Sequence, residues 1–233
     1  MKKLSVFFPA YNEERNIKDT VVKTVKVLKK VVDRWEIVVI NDGSTDKTGE
    51  IVKNLARQNK NIRLITHKIN KGYGATLKTG ISSCKYPLIC YLDSDGQFDF
   101  SEIKKFLTKI NKTDLVIGYR VKRTDKLYRR ILAKILWLAN WILFGLSVKD
   151  VDCGFKLFKK EVIDKIGKLV TESAITETEF IVRAKRAGFK ITQVGVKHYS
   201  RANGEQSGGK LKVIAKAGWE GIKLWWFLLR EKN

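Results

Sequence analysis

A chain of 233 residues with 44% hydrophobic residues and only two prolines has material for one sizeable core, which excludes disordered, collagen-like and low-complexity classes. Its 47 basic residues exceed its 24 acidic ones by 23, which calls for an anionic partner: nucleic acid, a phosphorylated substrate or an anionic membrane face. Three cysteines, Cys84, Cys90 and Cys153, lack paired metal spacing and form an odd set, which points to a reducing, cytoplasmic compartment rather than a disulfide framework.

The apolar stretch from Leu4 to Pro9 is too short for a signal-peptide core and reads as a first strand, Leu4 to Phe8. Further β-branched runs at Glu36 to Ile40, Ile62 to Thr66, Leu88 to Leu92 and Leu115 to Tyr119 read as strands. Between them, Asn16 to Val32 carries Ile17, Val21, Val25 and Leu28 at helical steps, and Lys47 to Gln58 follows Asp46 as a candidate N-cap. This alternation predicts an α/β fold, a largely parallel sheet flanked by helices that binds ligands at the carboxyl ends of its strands. At those ends stand Pro9 to Glu14, Asn41 to Asp46 and Asp93 to Gln97, three acidic loops on one edge of a basic chain. Neighbouring carboxylates repel, so such loops are best tolerated around a cation or a donor-rich ligand.

Asp93 and Asp95 close an apolar strand two residues apart and can face one ion, with Asp42 and Gln97 on the same edge. Oxygen-only ligands favour Mg²⁺ or Mn²⁺ bridging a carboxylate to substrate phosphates. Asp150-Val151-Asp152 repeats the spacing but does not end a clear strand, and it is not assigned the metal. Asn70 to Ala75 enters a helix where N–H groups could hold an anion, or it is a tight turn. His67 and His198 lie too far apart in sequence to support a histidine-based metal site or a hydrolase triad.

After Tyr119 the character changes. Arg120, Lys122, Arg123, Lys126, Arg129, Arg130 and Lys134 are opposed by one acid, Asp125, and lead into an apolar helix bearing Trp137 and Trp141. Lys134 and Asn140 interrupt the apolar stretch Ile131 to Val148, so it does not read as a spanning segment. The chain ends in a second such helix, Lys210 to Arg230, with Lys212, Lys216, Lys223 and Arg230 on a narrow stripe at about 100° per residue. That helix suits a membrane interface, with Trp225, Leu228 and Leu229 entering the acyl boundary; packing on the sheet or pairing in a homo-oligomer is the alternative.

Five phrases, PAYNEE, INDGSTD, NKGYGATLKTGI, LDSDGQF and DVDCGFKLF, occur in an order that resembles the family 2 inverting glycosyltransferases of the GT-A fold, and among them the polyprenyl-phosphate hexose transferases of the dolichol-phosphate mannose and glucose synthase group. The resemblance runs from about Leu4 to Ser207. It implies a catalytic domain over 1–207, including an amphipathic helix at about 127–146, and a membrane-associating helix over 208–233. It implies that Pro9, Ala10, Tyr11, Glu13, Asp42, Lys71 and Asp93 bind the nucleotide-sugar, and that Asp93, Asp95 and Gln97 hold Mg²⁺ or Mn²⁺. Arg120, Arg130, Lys134, Arg201 and Ser207 would hold the acceptor phosphate. Asp152, Asp95 and Arg120 would be catalytic, with Glu177 and Glu179 as rival carboxylates at a helix start. The chain has Ala133 where related synthases often place a serine, and the stretch after Asp152 resembles the glucose-type relatives. Nothing after Arg230 can span a bilayer, so the chain resembles a minimal catalytic form.

The implied activity is metal-dependent transfer of a hexose from a UDP- or GDP-sugar to a polyprenyl phosphate, with inversion, by a protein peripheral on the cytosolic membrane face. Transfer to a glycan or protein acceptor is the alternative. Nucleic-acid binding fits the charge but not the acidic loops at the sheet's ligand edge.

Overall fold

The computed structural model describes residues 2–121, 127–201 and 211–231, with side chains described over 2–121, 133–201 and 215–231. Seven strands form one sheet: β1 Lys3–Ala10, β2 Arg34–Asn41, β3 Ile62–Thr66, β4 Leu88–Leu92, β5 Leu115–Arg120, β6 Phe155–Lys159 and β7 Ile191–Val196. Their order is β3-β2-β1-β4-β6-β5-β7. Only β6 runs against its neighbours β4 and β5; the other pairings are parallel. β1 and β2 are buried from their second residue onward, as expected of central strands covered on both faces.

The helices are α1 Ile17–Val31, α2 Thr48–Gln58, α3 Tyr73–Ser83, α4 Ile103–Lys109, α5 Leu127–Phe144, α6 Lys160–Ile166, α7 Ile175–Arg186 and α8 Leu211–Arg230. Ile17, Val21 and Val52 of α1 and α2 pack with Phe106 of α4 on one face of the sheet. Leu77, Val162, Phe180 and Leu224, from α3, α6, α7 and α8, pack on the other, with Leu136 of α5 against them. The strands read from sequence are present, and β1 and β2 extend beyond the expected ends. Two strands were not anticipated. β6 carries a lysine in its middle, and β7 is an edge strand containing Thr192, Gln193 and Gly195. α2 begins one residue later than expected, with Lys47 rather than Asp46 at the N-cap; Asp46 stands just before it, its Oδ1 accepting from Thr48 N at 2.9 Å.

The outer helices divide their apolar residues. On α8, Leu224 and Leu228 are in the core, while Trp219, Ile222, Trp226, Phe227 and Leu229 are exposed. The expectation that Leu228 enters lipid is therefore corrected: it is fully buried beneath the helix, and Trp225 is half-buried. Lys223 and Arg230 lie over the rings of Trp219 and Trp226, at 5.2 and 3.3 Å. Glu220 on the same helix accepts from Glu172 N at 3.1 Å and Ser173 N at 2.9 Å. On α5, Ile135, Trp137, Leu138, Trp141 and Ile142 are exposed, whereas Asn140 is buried. No helix among the described residues is long and apolar enough to cross a membrane. The expected boundary at 207/208 lies outside the described residues.

Candidate active site

Because β1, β2 and β4 are adjacent and parallel, the three acidic loops leave the sheet together, and they are bonded to one another. Asn12 N donates to Ser44 Oγ at 2.9 Å, Glu13 N to Thr48 Oγ1 at 2.8 Å and Glu14 N to Asp46 Oδ2 at 3.0 Å. The Ser94 hydroxyl donates to the Pro9 carbonyl at 2.7 Å, and the Ala10 carbonyl accepts from Asp42 N at 2.9 Å. Pro9 and Ala10 thus form the buried floor and Tyr11 is exposed at the rim. Asp42 accepts from Lys71 N at 3.0 Å and Gly72 N at 2.8 Å, with His67 Nδ1 at 2.6 Å. The backbone N–H groups of Lys71 and Gly72 at the entry to α3, where the sequence leaves an anion or a tight turn open, are engaged by the protein's own Asp42. The two histidines stay apart, but His67 belongs to this edge and His198 stacks obliquely on Phe98 at 5.2 Å.

Asp93 and Asp95 stand at the centre. Burial, then repulsion from Asp95 and Glu177, pushes the Asp93 carboxyl up to about 7. Burial likewise raises Asp95, against the pull of Gln97 N and Arg201, and raises Glu13. Arg201 pairs with Glu13 and lies 3.7 Å from Asp95. Its guanidinium thus sits among the carboxylates of the acidic loops. Gln97 donates its Nε2 to the Tyr199 carbonyl at 2.9 Å. Among the described residues no three His, Cys, Asp or Glu side chains converge on an ion. Two crowded carboxylates with raised proton affinity nevertheless suit a hard cation whose shell substrate phosphates complete.

Behind Asp93 lies a buried network that the sequence did not reveal. Tyr73 Oη is 3.2 Å from Asp93 Oδ1 and 3.0 Å from Glu177 Oε1, and Tyr91 Oη donates to Glu177 at 2.5 Å. Lys156, with no exposed surface, is 3.2 Å from Glu177 and donates to the carbonyls of Val151 and Cys153 at 2.8 and 2.7 Å. Glu177 is therefore enclosed by donors. Glu179 is ruled out as a rival catalytic carboxylate: fully buried, it accepts from Val170 N, Thr171 N and Arg183 Nε and fixes the loop before α7. The neighbouring Glu172 carbonyl accepts from Gly74 N at 3.2 Å, and a Cβ on Gly74 would overlap that loop.

Asp152 remains, half-exposed beside α5. Burial, then Glu177 and Asp150, pushes its carboxyl up to about 6. Arg120 makes a bidentate pair with Asp150, both bonds at 2.7 Å, so this guanidinium reaches the site with one carboxylate already attached. Lys134 is exposed on α5; the side chain of Arg130 and all of Ser207 lie outside the described residues. A separate cleft of about 560 Å³ is lined by Lys2, Lys3, Lys85, Lys159 and Lys160 at the opposite, amino-terminal edge of β1 and β4, away from these carboxylates.

Gly154 is required by contact. Its carbonyl accepts from Asp93 N at 3.0 Å, and a Cβ there would overlap the Asp93 carboxylate. Gly154→Ala is expected to weaken Mn²⁺ binding in the presence of nucleotide by roughly 10- to 100-fold, as loss of a ligand's supporting contact does. Titration of Mn²⁺ by electron paramagnetic resonance checks this; an unchanged affinity would show that Asp93 is not a ligand.

The sequence profile of "Glycosyl transferase family 2" matches residues 5–167, a span that holds every loop of the acidic edge. The chain belongs to glycosyl transferase family 2. Within the family it is similar to a dolichyl-phosphate beta-glucosyltransferase of Trichomonas vaginalis, 34% identical over 226 residues that cover 90% of this chain and 68% of the relative. An undecaprenyl-phosphate 4-deoxy-4-formamido-L-arabinose transferase of Salmonella choleraesuis is 28% identical over 217 residues, covering 92% and 65%. Among solved structures, glucosyl-3-phosphoglycerate synthase from Mycobacterium tuberculosis, in complex with Mn²⁺ and UDP-glucose, superposes with a TM-score of 0.70 at 18% identity, covering 95% of this chain and 78% of that one. That likeness establishes the shared GT-A fold. As a family 2 member, the protein is a glycosyltransferase.

Proposed function

We propose that this glycosyltransferase moves a hexose, glucose first among the candidates, from a nucleoside diphosphate sugar to a polyprenyl phosphate, with inversion, at the cytosolic face of a membrane. The observation that carries the reading is one of place: the acidic donor edge continues through Asp152 to α5, whose outer face exposes Ile135, Trp137, Leu138, Trp141 and Ile142. A soluble acceptor needs no such surface beside the reacting carboxylates. The relatives named for dolichyl- and undecaprenyl-phosphate transfer support it, since their similarity extends over nine-tenths of the chain.

In this reading Pro9, Ala10, Tyr11, Glu13, Asp42 and Lys71 receive the nucleotide. Asp93 and Asp95, with Gln97, hold Mg²⁺ or Mn²⁺, which when bound offsets the charge of the diphosphate. Arg120, Arg130, Lys134, Arg201 and Ser207 serve the acceptor phosphate. A phosphate oxygen attacks the anomeric carbon, the bond to the diphosphate breaks, and the nucleoside diphosphate leaves with that electron pair. The nucleophile is already anionic, so Asp152 acts chiefly by orienting it.

UDP- and GDP-hexoses offered with farnesyl phosphate test the reaction: release of nucleoside diphosphate only when both substrates are present is the expected result. Release with soluble glycans and not with farnesyl phosphate would overturn it. For the membrane, deleting α8 is not a clean probe, because Leu224 and Leu228 belong to the core. Replacing Trp141, Trp219 and Trp226 together by serine leaves the core intact and is expected to abolish sedimentation with anionic vesicles. Unchanged sedimentation of that variant would favour another face.

A further inference from the structure

Among the described residues two buried polar side-chain atoms have no hydrogen-bond partner, Thr24 Oγ1 and Asn140 Nδ2. Thr24 lies within the α1 packing, and its hydroxyl can rotate. Asn140 is different. The residue is 2% exposed, and its Oδ1 accepts from Thr178 Oγ1 at 3.3 Å, which directs the amide nitrogen elsewhere. An amide N–H₂ buried without an acceptor is a standing cost to the fold, of a kind that native structures keep where a ligand removes it.

The space beside it has the chemistry of such a ligand. Asn140 lines a cleft between α5 and the loop before β6, together with Leu136, Trp137, Lys149, Asp150 and Asp152. The enclosed part, about 10 Å³, is close to the room needed by one water-sized oxygen. One wall is apolar and ends at the exposed ring of Trp137. The other carries Lys149, whose Nζ lies 4.5 Å over the Tyr119 ring, and Asp150, whose charge Arg120 offsets in a bidentate pair. The slot thus has an apolar wall, one lining cation, an Asp150 whose charge Arg120 offsets, and a buried donor at its base beside Asp152, which matches an amphiphile whose polar head presents an oxygen to the amide.

We propose that Asn140 is the buried hydrogen-bond donor of the acceptor site, its Nδ2 reserved for a phosphate oxygen of the polyprenyl phosphate, with the first isoprene lying on Leu136 and Trp137. The assignment rests on the acceptor reading given above and adds to it a residue that fixes the phosphate beside Asp152. It also accounts for the asparagine that interrupts an otherwise apolar helix.

The test uses the full chain and two variants. The double variant Asn140→Leu/Thr178→Val removes the donor together with the hydroxyl that bonds to the same amide, and Asn140→Asp keeps an acceptor for Thr178 and, ionised, opposes the phosphate charge. Binding of farnesyl phosphate, farnesol and inorganic phosphate is followed by calorimetry, with melting temperature and the KM for nucleotide-sugar beside it. Both variants are expected to bind farnesyl phosphate about tenfold or more weakly, the loss of a hydrogen bond to a charged group, and to bind farnesol as the wild type does. The KM for nucleotide-sugar should stay within about twofold, and the double variant should melt no lower than the wild type, because both members of the buried pair are replaced by apolar groups and the unpaired donor is gone. Unchanged affinity for farnesyl phosphate, or an equal loss for the nucleotide-sugar, overturns the assignment while leaving the acceptor reading intact. Failure of the wild type to bind farnesyl phosphate overturns both.

Discussion

Asp93→Asn should lower turnover by on the order of 10²- to 10³-fold or more, as loss of an electrostatic centre at a reacting diphosphate does, and should at the same time raise the melting temperature of the metal-free protein at pH 8. The second effect follows from the first residue's surroundings. Its carboxyl is pushed up to about 7 by burial and by Asp95 and Glu177. An unfolded chain loses that proton near the ordinary value of about 4. Between about pH 4 and 7 the folded state therefore holds more protons than the unfolded state, and stability falls as pH rises through that window. Asp152, pushed up to about 6, adds to the fall over its lower part. Asparagine carries no charge to bury, so the Asp93→Asn protein should lose less stability between pH 5 and 8. Mn²⁺ with nucleotide should raise the melting temperature of the wild type and not of the variant. Thermal unfolding at several pH values with and without chelator reads all of this; parallel pH profiles for the two proteins would sink the assignment.

Lys156→Met is expected to cost about 3–5 kcal/mol of folding stability, because it leaves Glu177 charged and buried with its cation gone. Lys156 is also the group that gathers the Val151 and Cys153 carbonyls, so the loop carrying Asp152 and Gly154 loses its anchor together with the ion pair. Neutralising both partners, in Lys156→Met with Glu177→Gln, should recover part of the stability, since the uncompensated charge is then absent. Urea unfolding of the two single variants and the double variant measures the interaction directly. A Lys156→Met protein within about 1 kcal/mol of the wild type would show that the Lys156–Glu177 pair does not hold the fold together.

The same lysine explains where reading the sequence stopped. β1, β2 and β4 were legible because strands covered on both faces are nearly uninterrupted apolar runs, and the acidic residues that follow them were legible because they break those runs abruptly. β6 reads Phe-Lys-Leu-Phe-Lys, and a lysine in the second place argues against a buried strand until its partner is known. That partner, Glu177, is separated from it by 21 positions and looks like an ordinary first-turn helix acid. Arg120 and Asp150 are likewise 30 residues apart, and no spacing pattern links them. On α8 the apolar residues run nearly all round the helix, so periodicity could not tell the side that holds Leu224 and Leu228 from the side that exposes Trp219 and Trp226. Tyr73 lay inside the phrase NKGYGATLKTGI without a role of its own, and Asn140 showed only as an interruption of an apolar stretch; only the fold brings them to Asp93 and to the α5 cleft.

The reversed direction of β6 has a mechanical consequence. β1, β2 and β4 deliver their loops to the ligand edge by ending there, whereas β6 starts there, so its approach comes directly from the end of α5. Between Phe144, the last residue of that helix, and Asp152 there are eight virtual bonds, which fully extended reach about 26–29 Å. However α5 tilts or sinks, Asp152 stays on a tether of that length. The separation between the helix and Asp152 is therefore bounded by covalent structure, whatever the packing between them does.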